Sequence, residues 1–375
     1  MTSSQDQTPG PVDPSRRRRP TLTDVAAVAG VSVSTVSRAL DGNPRIPGDT
    51  QRKVVEAATA LGFRRNISAR SLRTQSSMLV GVVVPDIAIA FYATVLKAAQ
   101  NVLEAAGYQV VVMNTERDAQ HETAALRTLQ DRQVDGLLVA TSGGYVPDRG
   151  PVVFFDHVIR DTGLGYVSPD NVGGMTTLVE HLAVVHGHTK IAFLGVPLGP
   201  TDRIQRLENA PATERLEAFR NVMGRRRLSV PPEYLAYGDH EWTEASAQQA
   251  VAELMRVDEP PTAIIAAGDT LALGALRQLR ADQYKVGTEI ALVSFDDPVS
   301  SDLLDPPMTA LGRHDRELGE ISARMLLAAI EVRKSDVAQK TQKTELPTEM
   351  RVPLDLIVRR SCGCAPEALE SEPPP

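Results

Sequence analysis

From residue 77 to residue 358 the chain repeats one texture: short, continuous apolar runs rich in β-branched residues, separated by amphipathic stretches. The runs are MLVGVVV (78–84), YQVVVMN (108–114), GLLVA (136–140), VVFF (152–155), KIAFL (190–194), TAIIAA (262–267), IALVSF (290–295) and RVPLDLIV (351–358). A strand with one wet face alternates apolar and polar residues; these runs do not, so both of their faces must be covered. The stretches between them, such as 91–106 before Gly107 and 119–132, carry helical periodicity. Strand and helix in alternation predict an α/β chain of parallel, doubly wound sheets. About 285 residues of this pattern exceed what one core encloses, so two lobes are expected.

The first 76 residues have another character. Residues 1–75 hold 12 Lys and Arg against 6 Asp and Glu, whereas the remaining 300 hold 28 against 41, within a total net charge of −7. A basic segment on an acidic body points to a polyanionic partner at one end only. Residues 1–19, rich in Ser, Pro and Gln and ending in Arg16 to Arg19, cannot bury a core and are expected to be a disordered basic arm. From Pro20 the pattern predicts three short helices over 21–62. Thr23 is the expected cap of the first, with Val25, Val28 and Ala29 on one face and Gly30 ending it; Ser32 caps the second, through Leu40; the third places Val54, Ala58 and Leu61 on one face before Gly62.

TLTDVAAVAGVSVSTVSRAL therefore reads as helix, tight turn, helix, the arrangement that lays its second helix in a DNA major groove. On that helix Val36, Ala39 and Leu40 face inward, while Val33, Ser34 and Arg38 share the other face. Arg38 suits a bidentate contact to guanine, Val33 a thymine methyl, and Ser34 either role. Thr35, Ser37, Asn43, Arg45 and Thr50 are expected to touch phosphates. The plain alternative is a small bundle with a solvated face. After Phe63, Asn66 caps a helix ending near Arg73, too short to be stable alone. Leu72 between Arg70 and Arg73 has the make-up of a minor-groove wedge, or else ends a linker.

With these motifs the sequence resembles the lactose-repressor and galactose-repressor family of bacterial transcription regulators (LacI/GalR). The resemblance runs from about Pro20 to about Cys362, through ARSLRT, VGVVVPD, VDGLLVA, HLAVVHGHTKIAFLG, GDTLALGAL, VSFDD and PPMTAL. It implies that Val33, Ser34 and Arg38 read bases, that 66–73 is a hinge helix with Leu72 its wedge, and that two chains pair on a pseudo-palindromic double-stranded operator. The expected organisation is a disordered arm (1–19), a helix-turn-helix domain (20–65), a hinge and linker (66–76), a two-lobed effector-binding and dimerisation body (77–361) and a disordered tail (362–375). Pro47 departs from the family pattern, which has a capping Ser there; either Asp49 takes over the cap or that phosphate contact is missing.

The body of this family looks like a periplasmic sugar-binding protein, two lobes with a small molecule between them. Here the crossings are expected near 167, 311 and 346. By motif, Asp86, Phe91, Asp156, Arg215, Trp242, Asp296 and Arg313 are the effector-binding candidates. Each has a structural alternative: Asp86 and Asp296 as loop caps, Arg215 paired with Glu214 or Glu217 on its own helix, Trp242 as core. Ile89 and Ala90 replace the usual Asn-Pro, and Gly268 stands where an Asn often holds a ligand hydroxyl. The segment 198–211 is some ten residues longer than usual. A sugar or another polar metabolite is the expected effector.

No GxGxxG, P-loop, HExxH or GxSxG pattern supports catalysis, so no enzyme and no cofactor are expected. No run approaches the roughly 18 apolar residues of a membrane helix, and the first 20 residues hold no apolar export core, which together predict a cytoplasmic protein. His181, His186 and His188, at i, i+5 and i+7, do not share an α-helical face, and Cys362-Gly-Cys364 is half a zinc site on an expected frayed end, so no metal is expected. The rival readings are a cytoplasmic solute-binding protein and an architectural DNA-binding protein without effector control.

Overall fold

A computed structural model describes residues 20–63, 76–143, 145–157, 162–195, 211–237, 242–338 and 348–364. The chain divides into two compact units, up to Gln75 and from Ser76. The first contains α1 (Leu22–Ala29), α2 (Val33–Leu40) and α3 (Gly48–Ala60). Thr21, not Thr23, caps α1: its hydroxyl accepts from Asp24 N while the Asp24 carboxylate accepts from Thr21 N, a reciprocal capping box. The first turn therefore starts two residues earlier than the apolar pattern implied. Gly30, at φ +65°, closes α1 in the left-handed region. Val25, Ala26, Val36, Ala39, Val54, Ala57 and Ala58 form the core. Val28, expected inside, is 59 % exposed; Ala26 takes its place because one apolar stripe on an eight-residue helix suffices for so small a core.

The second unit contains two six-stranded sheets. The first runs β11-β5-β4-β3-β1-β2, where β1 is Leu79–Val84, β2 Gln109–Asn114, β3 Gly136–Val139, β4 Val152–Phe155, β5 Gly165–Pro169 and β11 Glu349–Val352. The second runs β12-β10-β9-β8-β6-β7, with β6 Ile191–Gly195, β7 Leu235–Tyr237, β8 Ala263–Ala266, β9 Ala291–Ser294, β10 Thr309–Arg313 and β12 Leu354–Ile357. All pairings of these strands are parallel except β10 with β12. Central strands β3, β4, β6, β8 and β9 are buried throughout, as continuous apolar runs require, while the edge strand β2 alternates with exposed positions.

The covering helices are α4 (Ala90–Ala105), α5 (Ala119–Asp131), α6 (Asn171–Glu180), α7 (Pro211–Arg225), α8 (Glu244–Leu254), α9 (Asp269–Ala281) and α10 (Asp315–Ala338). Gly81 lets α5 close on the sheet: a Cβ there would meet Leu129 and Leu137 side chains at 2.7 Å. Strands β5 and β10 lie at the crossings expected near 167 and 311, whereas β7 was not expected, because so short a run as LAY carries little apolar signal. The run 351–358 is not one strand. It splits at Pro353, with β11 in the first sheet and β12 in the second, so the third crossing lies there rather than near 346. Proline donates no N–H, which breaks the ladder where the chain changes sheets. Nor does packing stop at 361: Cys362 is 1 % exposed and Cys364 half-buried. Ser361 holds this end, donating to Leu292 O and accepting from Thr309 N.

Candidate functional site

In the first unit α2 presents the candidate DNA-reading face. Ser32 Oγ caps it, accepting from Thr35 N at 3.1 Å, and stands 2.9 and 2.8 Å from the Ser34 and Thr35 hydroxyls. Val36 and Ala39 turn into the core, which fixes the helix roll and leaves Val33, Ser34 and Arg38 exposed together. Val33 is 42 % exposed. Thr35 and Ser37 flank this face half-buried. Asn43 works inside its turn: Oδ1 accepts from Arg45 N (2.9 Å) and its carbonyl from Gln51 Nε2 (3.0 Å), leaving the Arg45 side chain exposed. Thr50 sits half-buried in the first turn of α3. Pro47 is the N-cap of α3 with no side-chain cap bond, and Asp49 pairs with Arg52 instead of capping. Leu72 and the segment 66–73 lie outside the described residues, as does all of 198–211 except Pro211.

In the second unit the candidate cleft forms where strands end and loops begin, the usual ligand position of parallel sheets. Arg215, in the first turn of α7, is 3 % exposed. Its Nη1 donates to Ala267 O (2.6 Å) and Asp296 Oδ2 (3.3 Å), its Nε to Asn171 Oδ1 (3.0 Å), and its guanidinium lies 3.8 Å from the Phe295 ring centre. Arg313, at the end of β10, donates through Nη1 to Asp296 Oδ1 (2.7 Å) and through Nε to Asp315 Oδ1 (3.0 Å), with the Phe91 ring centre 3.8 Å from its guanidinium. Its Nη2 is buried without a hydrogen-bond partner among the described residues, 4.0 Å from Asp156 Oδ1. Asp156 itself follows β4 at φ +65°, a left-handed conformation that costs strain, and its Oδ2 accepts from Tyr92 Oη at 2.9 Å.

Charge explains the titration of this cluster. Burial alone would push the Asp156 carboxyl up, but His157, Arg313 and Arg215 outweigh it and bring it down to about 2. Burial likewise opposes ionisation of Asp296, and Arg215 and Arg313 reverse it. Asp315 goes the other way: burial dominates, Asp296 and Asp156 repel it, and its pairing with Arg313 does not compensate, so it is pushed up to about 6. Burial and the Asp156 charge raise the Tyr92 phenol well above its ordinary value, so it stays a donor.

Of the seven expected cleft residues, the structure thus joins Phe91, Asp156, Arg215, Asp296 and Arg313 in one network. Trp242 is placed beside it through Gly268: a Cβ at 268 would lie 2.4 Å from Trp242 Cζ2 and 3.2 Å from Asp296 Oδ2. The indole thus occupies the space a side chain at 268 would need. Asp86 caps its own turn, its Oδ1 accepting from Ala88 N at 2.9 Å. Arg215 does not pair with Glu214 or Glu217. Glu214 instead accepts bidentately from Arg351 on β11 (3.0 and 3.0 Å) and from Asn171 Nδ2 (2.7 Å). Sequence reasoning missed Tyr92, Asn171, Asp315 and Arg351; only Asp315, two residues after Arg313, was near enough to a candidate to be found.

Comparison with known proteins follows the same division. Residues 21–66 match the profile of "Bacterial regulatory proteins, lacI family" and residues 179–362 that of a "Periplasmic binding protein-like domain". The transcriptional regulator CelR of Thermobifida fusca is 30% identical over 360 residues, covering 92% of this chain and 99% of that protein. The ribose operon repressor of Escherichia coli K12 is 29% identical over 318 residues, covering 83% and 93%. Among solved structures, the lac repressor dimer bound to operator and the anti-inducer ONPF aligns with a TM-score of 0.75 at 26% identity, over 92% of this chain and 99% of that one. A CelR–cellobiose complex aligns at 0.62 and 27% identity, over 92% and 100%.

Proposed function

The chain belongs to the lacI family of bacterial regulatory proteins and is a DNA-binding transcription regulator, and from that premise we propose a dimeric repressor whose operator affinity is set by a sugar held between its lobes. The observation that carries the effector assignment is Arg313 Nη2, a buried donor without a hydrogen-bond partner among the described residues, facing Asp156 at a distance too long for a hydrogen bond. An unmet buried N–H is costly, and a ligand hydroxyl accepting from Arg313 and donating to Asp156 would satisfy both groups. Arg215 and Asp296 then hold a neighbouring hydroxyl, and Trp242 offers an apolar face for a ring. A relative, CelR, is solved with cellobiose, which agrees with a saccharide here.

The mechanism is linkage. A ligand that prefers one arrangement of the lobes shifts the population of that arrangement and with it the operator-competent dimer. Val33, Ser34 and Arg38 read bases in this proposal, Thr35, Ser37, Asn43, Arg45 and Thr50 position the helix on phosphates, and Leu72 wedges the minor groove. The protein acts by binding rather than by catalysis, in the cytoplasm where its operator lies. Among the described residues no helix is long and apolar enough to cross a membrane.

The experiment is thermal denaturation against a panel of mono- and disaccharides, followed by selection of random duplex DNA with and without the ligand found. A saccharide that raises Tm in the wild type, but not in Arg313→Leu, and that changes the yield of an inverted-repeat operator supports the assignment. A Tm insensitive to every saccharide would remove sugars as the effector class; selection without any motif would remove the DNA-reading assignment of α2.

A further inference from the structure

Four ligating side chains outside the cleft converge on the second lobe. His181 and His186 bracket the π-helical turn His181–Val185 that continues α6, and Cys362 and Cys364 lie beyond β12. Their ligand atoms all lie within 4.8 Å of one another, and Cys364 Sγ is 3.3 Å from His186 Nε2. We propose that His181, His186, Cys362 and Cys364 form a tetrahedral zinc site that clasps the C-terminal segment onto this lobe.

The local geometry is what an i, i+5 spacing needs. On an α-helix His181 and His186 point apart, which is why the sequence argued against a shared face; the wider π-turn brings them round, with ring centres 4.9 Å apart. Such turns cluster at functional sites because they cost stability unless something uses them. His181 Nε2 is buried and has no hydrogen-bond partner among the described residues, so its lone pair or its proton goes unmet. Two thiols and two imidazoles are a soft donor set that selects zinc over magnesium or calcium. In a tetrahedral site with metal–sulfur and metal–nitrogen bonds near 2.3 and 2.0 Å, ligand atoms stand roughly 3.3–3.8 Å apart, so the four groups need to close by about 1.5 Å at most.

The surroundings support the same reading. Cys362 Sγ accepts from the buried Thr309 hydroxyl at 3.2 Å, a second-layer contact that orients the sulfur. Gly363 between the two cysteines has φ +101°, and a Cβ there would lie 3.2 Å from Gly287 O and 3.6 Å from the His186 ring, so only glycine bends both sulfurs to one side. Zinc binding to a thiol releases its proton to solvent. His188, whose Nδ1 lies 2.9 Å from Thr262 Oγ1, stands outside the donor set.

The test uses the full chain, purified reduced and without chelator. Zinc by elemental analysis should reach one per chain, and Co2+ added to the stripped protein should give thiolate-to-cobalt charge transfer with the intense d–d bands of tetrahedral coordination. Cys364→Ser should lose the stoichiometric metal and weaken the charge-transfer band. Because Cys362 is buried and its variant can fail to fold, His186→Gln is the second variant; it should retain the charge transfer but shift the d–d bands. Chelation should lower Tm in the wild type and leave Cys364→Ser unmoved. Absence of stoichiometric Zn2+ or Co2+ binding with both thiols titratable, a Cys362–Cys364 disulfide in the reduced preparation, or metal binding unchanged in both variants would overturn the site.

Discussion

At the scale of single residues, burial and charge decide the roles. Arg38 is exposed on α2 while Val36 and Ala39, its near neighbours, are sealed in the core. Arg38→Ala should therefore leave the fold intact and cost about 1–3 kcal/mol of discrimination at one base pair, read as a flattened preference in competitive binding to single-base operator variants. Asp315 makes a pH prediction with a definite sign. Its folded pKa, about 6, lies above its ordinary value of 3.8. Between those values the folded chain holds a proton that the unfolded chain has lost, so this group's contribution falls as pH rises from about 4 to about 6. The unfolding free energy of the wild type relative to Asp315→Asn should decline across that window and be flat above it. A difference that stays constant with pH would mean that Asp315 titrates normally. Arg215, Asp296 and Arg313 were legible as candidates because charged residues beside strand ends stand out from apolar runs. Asn171 and Arg351 were not, since their partner Glu214 is brought to them only by packing.

At the scale of elements, caps and apolar faces carried most of the signal. The capping box of Thr21 and Asp24 begins α1, and with only eight residues that helix depends on it. Thr21→Ala should lower the stability of the N-terminal unit by about 1 kcal/mol, measured by circular dichroism on the N-terminal transition, with the transition of the lobes unmoved. Phe219 on α7 is fully buried and packs 5.5 Å from Phe193 on β6. Phe219→Ala should cost about 3–5 kcal/mol in denaturant unfolding of the second lobe. The long apolar runs marked strand positions to within about two residues, because burial on both faces allows few polar residues there. The same rule hid the short strand β7, and it merged β11 with β12 into one run. Periodicity also assumed an α-helix at His181, and the π-turn broke that assumption.

At the scale of the whole molecule, the second unit is two lobes tied by shared ions. Arg351 belongs to a strand of the first sheet and Glu214 to a helix of the second lobe, and Glu214 is 7 % exposed. Arg351→Met would leave that carboxylate buried with Asn171 as its remaining side-chain partner among the described residues, a loss of about 3–5 kcal/mol that equilibrium unfolding would register. If it has no effect, the lobes are not held by this pair. Effector and operator must also act reciprocally: whatever factor, of order 5- to 150-fold, the ligand applies to operator affinity, operator must apply to ligand affinity. The amino-acid sequence by itself determined the alternation that makes two parallel sheets, the three-helix reading unit and the charge asymmetry between them, because these follow from local periodicity and composition. Only the tertiary structure decided which ions meet in the cleft, where the chain changes sheets at Pro353, and that His181 and His186 stand beside Cys362 and Cys364. Those contacts join residues as many as 183 positions apart, and no local pattern encodes a distance that the packing of the intervening chain creates.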